Sequence, residues 1–137
     1  MTTEYKKPVP VPSPESLPFW QSCQRHAMEV QRCKQCGQYR WPPSTVCAGC
    51  LSMDLEWTPV SGRGKIHTYV VFHQRYNPAF ADDLPYTVGI VELEEGPRIL
   101  TNIIGCPPSD VRCDMPVEVV YEDITPEIAL PKFRPRA

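Results

Sequence analysis

Two C-x-x-C pairs, separated by ten residues, constrain the fold of this chain more than any other feature of its sequence. They lie in the stretch CKQCGQYRWPPSTVCAGC, and their cysteines are Cys33, Cys36, Cys47 and Cys50. Each pair lets two thiolates converge on one ion, and four thiolates match the tetrahedral geometry of Zn(II). A site closed by four protein ligands leaves no open coordination position, so the sequence predicts a structural zinc rather than a catalytic one.

Two other uses of the same cysteines follow from their chemistry. A single C-x-x-C pair is typical of thioredoxin-like redox proteins, but two pairs without a βαβ context argue against that use. Iron takes the same four thiolates in a rubredoxin-like site, and this alternative to zinc stays open at the level of sequence. The ten-residue spacer is slightly shorter than the usual range, which a compact ribbon accommodates.

The cysteine count and the N-terminal sequence indicate a compartment. Seven cysteines, an odd number, favour metal ligands and free thiols over a set of disulfides. The stretch MTTEYKKPVPVPSPE has no apolar run behind its lysines, as a signal peptide would have. No apolar run approaches the ~18–20 residues that cross a bilayer. We therefore expect a cytoplasmic protein with no membrane segment, in a reducing environment.

Shifts in composition divide the chain into three predicted parts. With 17 Pro against 7 Gly, short strands, extended segments and turns are favoured over long helices. We predict an extended Pro-rich tail over 1–13. The second part, 14–54, begins with a short helix from about residue 14 to 26 and continues into the zinc ribbon. The third part, 55–137, consists of strands and ends in a C-terminal tail.

The third part has the residue pattern of an antiparallel β-domain. Its predicted strands are rich in β-branched and aromatic residues; they are LEWTPV, GKIHTYVVFH, YTVGIVEL, RILTNII and MPVEVVYEDI. The turn from Glu94 to Pro97 is typical of a hairpin. Strands this short, with no helical period, indicate a small closed barrel or a sandwich, and an OB-like barrel is the favoured form.

No catalytic constellation is apparent in the sequence. His26 falls on the predicted helix, whereas His67 and His73 share one face of a strand but lie six residues apart, too far to share a proton or a metal. The sequence has no phosphate-binding Gly-rich loop, no G-x-S-x-G and no H-E-x-x-H. The chain on its own is therefore predicted not to be an enzyme.

Two classes of binding protein then compete. Zinc ribbons and OB barrels often bind nucleic acid through basic grooves and stacking aromatics. A net charge of -2 and scattered Lys and Arg residues argue against that class, because a basic footprint is its minimum requirement. The other class is a scaffold or binding module, whose surface would be the loop HQRYNPAFADDLPY and the C-terminal LPKFRPRA, since aromatics and Arg anchor interfaces.

Several motifs in order resemble one known family. They are FW near the start, C-x-x-C-G…PP…C-x-x-C, GKIHTYVVFH, PYTVGIVELEEGPRILTNIIG, MPVEVVYED and LPKFRP. From about residue 14 the chain is similar to the zinc-ribbon plus OB-fold proteins associated with acyl-CoA enzymes, long catalogued as a domain of unknown function. The resemblance implies a mainly β fold: a short N-terminal helix, a rubredoxin-like zinc ribbon and a small OB-fold barrel.

The resemblance also implies a role. Members of that family are non-catalytic accessory subunits of acyl-CoA or acyl-transfer complexes, in hetero-oligomers with a thiolase-like catalytic subunit, and they line a passage for an acyl-CoA or acyl substrate. Some members pair instead with a hot-dog-fold enoyl-CoA hydratase. The implied partner is thus a protein with an acyl substrate at the interface, and not nucleic acid or a membrane.

Individual positions can be matched to the family. The four cysteines of the two C-x-x-C pairs match its zinc ligands. The segments that match its partner- or substrate-facing regions contribute Phe80, Pro85, Tyr86, Phe133 and Arg134. QRYNPAF departs from the Gly-containing loop common in members, which leaves the loop shape open, and Ala48 replaces a frequent Pro, a change that the metal tolerates.

Overall fold

The computed structural model of the chain describes residues 5–136. Within them the fold is mainly β, as predicted, with one short α-helix. The helix and strands are α1 (Leu17–Gln24), β1 (Glu29–Cys33), β2 (Tyr39–Arg40), β3 (Leu55–Pro59), β4 (Arg63–Phe72), β5 (Tyr86–Leu93), β6 (Arg98–Ile103), β7 (Pro116–Asp123) and β8 (Ala129–Pro135). Short 3₁₀ helices cover Pro78–Asp83 and Pro108–Asp110.

The N-terminal region contains a shorter helix than the sequence predicts. Residues 5–13 of the predicted Pro-rich tail form neither helix nor strand, and residues 1–4 lie outside the described part. Ser16 occupies the N-cap position of α1, but its hydroxyl accepts the Ser13 backbone N–H at 2.9 Å instead of capping the helix. Pro18 fits the first turn, where no N–H partner is needed. The chain turns away after α1 at His26, which has a left-handed φ of 58°.

Strands β1, β2 and β3 form the ribbon, an antiparallel sheet in the order β2-β1-β3. The central strand β1 buries Val30 and Gln31. Gln31 is tolerated there because its Oε1 accepts hydrogen bonds from Arg40 Nε and from the Ser44 backbone, both at 2.9 Å. The sheet therefore holds the ends of β1 and β2 in a fixed position from which the first C-x-x-C pair projects.

Strands β4 to β8 close into a barrel in the order β4-β5-β6-β8-β7, and β4 pairs with β7 to complete it. All neighbours are antiparallel except β6 and β8, which are parallel and share the register pair Ile103↔Phe133. Side chains of β5 alternate strictly between partly exposed and buried positions, as a half-solvated strand requires. The predicted OB-like barrel is confirmed, but the stretch LEWTPV, predicted as one of its strands, forms β3 of the ribbon instead.

The C-terminal segment differs from the predicted tail. LPKFRP lies within β8 and pairs with β7 from Val117↔Pro135 to Asp123↔Ala129. The two prolines in this stretch concealed its strand character, because proline lacks the N–H that a ladder uses. Both prolines are nevertheless in register with β7, as Tyr121↔Pro131 and Val117↔Pro135, and β8 shares only one register pair with its parallel neighbour β6. This segment is a structural strand of the barrel.

One hydrophobic core joins the ribbon to the barrel. Phe19, Cys23 and Met28 from the N-terminal region belong to the same buried cluster as the inward-facing residues of the barrel. The Phe19 ring meets Trp41 edge-on at a centroid distance of 4.2 Å. The Met28 backbone N–H donates to the hydroxyl of Tyr121 on β7 at 2.8 Å. Damage to the ribbon should therefore weaken the barrel as well.

Strands β4 and β5 approach each other closely at Gly64. A Cβ atom at Gly64 would lie 2.4 Å from the carbonyl oxygen of Glu92 and 2.9 Å from Val91 Cγ1. We expect Gly64→Ala to lower the free energy of unfolding by about 1–3 kcal/mol, because the clash exceeds the entropic gain of replacing glycine. Urea unfolding measures this, with exposed Lys65→Ala as the neutral control. An unchanged midpoint for Gly64→Ala would mean that the strands separate without cost.

In residues 5–136 every helix is too short or too polar to cross a lipid bilayer.

Candidate metal centre and barrel cleft

The four cysteines of the C-x-x-C pairs come together at one point. Their sulfur atoms all lie within 4.8 Å of one another. Cys33 Sγ is 3.5 Å from Cys50 Sγ, and Cys36 Sγ is 3.6 Å from Cys47 Sγ. These distances exclude disulfides, whose sulfurs are about 2.05 Å apart. A tetrahedral Zn–S₄ site with bonds of about 2.3 Å has edges of about 3.8 Å, so the arrangement fits one ion.

Two similar turns, the knuckles, place the sulfurs. In the first, Gly37 adopts φ 78° and its N–H donates to the Cys33 carbonyl at 2.9 Å. In the second, Leu51 adopts φ 64° and its N–H donates to the Cys47 carbonyl, also at 2.9 Å. Cys33 and Cys47 are buried, whereas the second cysteine of each pair is exposed. The knuckles therefore present the cluster at the surface while anchoring it from inside.

The charge of the clustered sulfurs would be stabilised by a bound cation. Hydrogen bonds from the backbone N–H groups of Cys50 and Gly49 lower the pKa of Cys47 to about 6. At Cys50 the Ser52 backbone lowers the pKa, but the sulfurs of Cys33 and its neighbours raise it to about 12. The knuckles thus favour thiolates, yet four negative sulfurs at this spacing repel one another unless a metal neutralises them. A soft divalent ion such as Zn(II) suits that donor set.

A cleft on the barrel gathers three of the five predicted partner- or substrate-facing residues. Phe80, Pro85 and Tyr86 line a cavity of about 690 Å³ between the N-terminal segment and strands β5 and β6. Lys7 of the N-terminal segment contacts the 3₁₀ helix Pro78–Asp83, since its Nζ lies 2.5 Å from Asp83 Oδ2 and 5.6 Å from the centre of the Phe80 ring. The sequence did not indicate Lys7, because its partners lie more than seventy residues away along the chain.

The other two predicted residues lie elsewhere. Phe133 has no exposed surface and packs in the core of the barrel, so it does not face a partner or substrate in this structure. Its neighbour Arg134 points outward and pairs with Glu118 Oε1 of β7 at 3.1 Å. The reason for the difference is the alternation of β8, which sends consecutive side chains to opposite sides of the barrel wall.

The remaining histidines and cysteines form no further cluster. His26 Nε2 lies 2.8 Å from Asp123 Oδ1 and its ring stacks on Tyr121, a structural arrangement. Burial raises the pKa of Cys23 to about 12, which makes it an inert core thiol. Cys106 lines the barrel cleft, and burial raises its pKa as well. In the described residues, the four knuckle cysteines are the one group of three or more side chains placed to bind a metal.

Comparison with known proteins separates the same two units. Residues 20–56 match the family model described as "ChsH2, rubredoxin-like zinc ribbon domain". Residues 57–122 match the model described as "ChsH2, C-terminal OB-fold domain". A DUF35 domain-containing scaffold protein of Methanocaldococcus jannaschii is 38% identical over 102 residues, covering 74% of this chain and 72% of that protein.

The chain belongs to the DUF35 family. A solved structure titled "Ltp2-ChsH2(DUF35) aldolase" superimposes with a TM-score of 0.84 at 34% identity, covering 93% of this DUF35 chain and 98% of the matched one. The family resemblance expected from the motifs is thereby confirmed.

Other relatives of this DUF35 chain are named as enzyme subunits. Benzoylsuccinyl-CoA thiolase subunit BbsA of Thauera aromatica is 35% identical over 88 residues, covering 64% of this chain and 58% of that one. A probable enoyl-CoA hydratase alpha subunit of Thermomonospora curvata is 37% identical over 118 residues, covering 85% of this chain. The DUF35 chain spans only 36% of the length of that hydratase subunit.

Proposed function

We propose that this DUF35 chain is a non-catalytic accessory subunit that stabilises a thiolase-like catalytic subunit in an acyl-CoA or acyl-transfer complex. The observation that carries the proposal is that similar proteins are named as a scaffold, as a thiolase subunit and as part of an aldolase with a second protein. The site chemistry supports it. The described residues bring four cysteines together as a closed set of metal ligands.

The metal in this proposal is a structural Zn(II) held by Cys33, Cys36, Cys47 and Cys50. The spacing of the sulfurs supports it, as does the match of residues 20–56 to a rubredoxin-like zinc ribbon. Bound zinc supplies cross-linking rather than chemistry, because four protein ligands leave no position for a substrate. The cysteines tie the end of β1 to the connection before β3, which has no ladder of its own.

The barrel cleft is the part of the surface that we assign to the partner and its acyl substrate. Its volume of about 690 Å³ lies within the range of about 300–1,000 Å³ usual for ligand sites. Phe80, Pro85 and Tyr86 give it an apolar wall. Its two lysines are each paired with an acid of the same lining, Lys7 with Asp83 and Lys132 with Glu122. Such an apolar wall suits an acyl chain. We also keep Arg134, on the outer wall of the barrel, as a proposed contact with the partner.

A second candidate is a partnership with an enoyl-CoA hydratase, as the sequence also allowed. It is favoured by the 37% identity to the Thermomonospora curvata hydratase alpha subunit. That relative carries additional chain beyond the matched region, since the match covers 36% of it. In this alternative the extra chain, or a separate protein equivalent to it, would supply the catalytic groups.

Co-expression tests the proposal. The chain is expressed with thiolase-like and hydratase-type subunits encoded near it, each in turn, and purified by a tag on the DUF35 chain. We expect a stable complex with the thiolase-like subunit that survives gel filtration. Exclusive retention of the hydratase-type subunit would favour the second candidate. A lone monomer that binds oligonucleotides tightly at physiological salt would contradict both.

A further inference from the structure

The second knuckle contains a leucine in an unfavourable position. Leu51 adopts φ 64° and is 75% exposed. The equivalent position of the first knuckle is Gly37, with φ 78° and the same 2.9 Å hydrogen bond to the first cysteine of its pair. Glycine adopts this left-handed conformation readily, and asparagine tolerates it, whereas a leucine Cβ crowds the following carbonyl. The turn thus requires a left-handed backbone conformation, which favours glycine, but the residue at this position is leucine.

Leu51 has apolar neighbours along the chain that are exposed as well. Met53 is 72% exposed and Val46 is 39% exposed. We call these three residues the knuckle tip. A group of exposed apolar side chains marks an interaction surface more often than chance, and methionine adapts to varied partner shapes. Leu51 thus combines a left-handed backbone, uncommon for leucine, with an exposed apolar side chain.

We propose that the knuckle tip is a docking point that inserts Leu51 and Met53 into an apolar pocket on the catalytic subunit. This inference rests on the accessory role proposed above. It adds a second contact, distinct from the barrel cleft, because no residue of the knuckle tip lines that cleft. The tip would fix the ribbon end of the chain on the partner while the barrel faces the substrate.

Charge favours a different protein over a second copy of this chain. Four thiolates around one Zn(II) leave a net negative charge, and Cys36 and Cys50 expose it beside the tip. The neighbouring Lys34 and Asp54 offset each other, with Nζ and Oδ1 3.9 Å apart. A symmetric dimer through the tip would bring two such negative centres together, which is unfavourable. The complementary surface is an apolar pocket rimmed by basic side chains or N–H donors.

The experiment uses substitutions that keep the turn but remove the apolar surface. Leu51→Asn retains a residue that tolerates positive φ, and Met53→Gln keeps the length of the side chain. Affinity for the purified thiolase-like subunit is measured by calorimetry, together with the melting temperature and zinc content. We expect each variant to bind roughly tenfold or more weakly, the size of a strong interface residue, with melting temperature and zinc unchanged. Val11→Ser removes a valine of the N-terminal segment that is 91% exposed, and this variant should bind like the parent chain.

Each other outcome overturns the proposal. Wild-type affinity in both variants would show that the tip does not dock. A lower melting temperature or zinc content in Leu51→Asn would show that Leu51 serves the ribbon itself. Self-association of the parent chain that Leu51→Asn abolishes would make a second copy the occupant. If the parent chain fails to bind the thiolase-like subunit at all, the accessory role fails first, and the docking proposal falls with it.

Discussion

Cys33→Ser is expected to release the metal, unfold the ribbon and lower the free energy of unfolding by about 5 kcal/mol or more. Structural zinc contributes about 10–16 kcal/mol in zinc-finger peptides, where folding and binding are one process. In this chain the loss should be smaller than in the peptides, because Phe19 and Met28 still pack in the core that the ribbon shares with the barrel. Cys33 has no exposed surface and ends the central ribbon strand, so its loss also leaves three converging sulfurs without a neutralising ion.

The measurement combines metal analysis with thermal unfolding followed by circular dichroism. Cys33→Ser should purify with little zinc and melt at a lower temperature, and a chelator should bring the parent chain to the same state. Cys113→Ser is the matched control, because Cys113 is exposed and lies outside the cluster. It should keep both zinc and melting temperature. A Cys33→Ser variant that loses zinc but melts like the parent chain would disprove the structural role.

The metal ligands could be predicted because their geometry is local. A C-x-x-C turn brings two sulfurs together whatever surrounds it, and the spacer of ten residues is short enough to return the second pair to the first. The backbone of the second knuckle could not be predicted in the same way. Gly37 signals a left-handed turn after the first pair, but Leu51 conceals the same turn after the second. The exposed tip was therefore found only in the structure.

The barrel could be predicted from its short strands, which are rich in β-branched and aromatic residues, and the cleft could not. The stretch YTVGIVEL indicates a strand by its composition and its flanking turns, without reference to its neighbours. The cleft depends on the tertiary fold, which brings Lys7 of the N-terminal segment next to Asp83 of the 3₁₀ helix. Pairs so distant in sequence leave no periodic signal. The aromatic stretch HQRYNPAFADDLPY nevertheless indicated this side of the barrel, since Phe80 within it and Tyr86, the first residue of β5, both line the cleft.

Phe133→Ala is expected to lower the free energy of unfolding by about 3–5 kcal/mol, the usual cost of truncating a fully buried phenylalanine. Phe133 is 0% exposed and lies at the single register pair, Ile103↔Phe133, through which β8 meets β6. Its carbonyl also accepts the Ile104 N–H at 2.8 Å. Removal of the ring therefore leaves a cavity where the barrel closes. Urea unfolding, monitored by the fluorescence of the partly buried Trp41 and Trp57, measures the loss.

Arg134→Ala is the control that separates the two neighbours. Arg134 is exposed, and its ion pair with Glu118 at 3.1 Å is of the kind that contributes about 0–1 kcal/mol. We expect this variant to unfold close to the parent chain, because consecutive residues of β8 lie on opposite sides of the barrel wall. Equal and small losses for both variants would mean that β8 does not close the barrel. A large loss for Phe133→Ala alone assigns Phe133 to stability and leaves Arg134 as the partner-facing candidate of the pair.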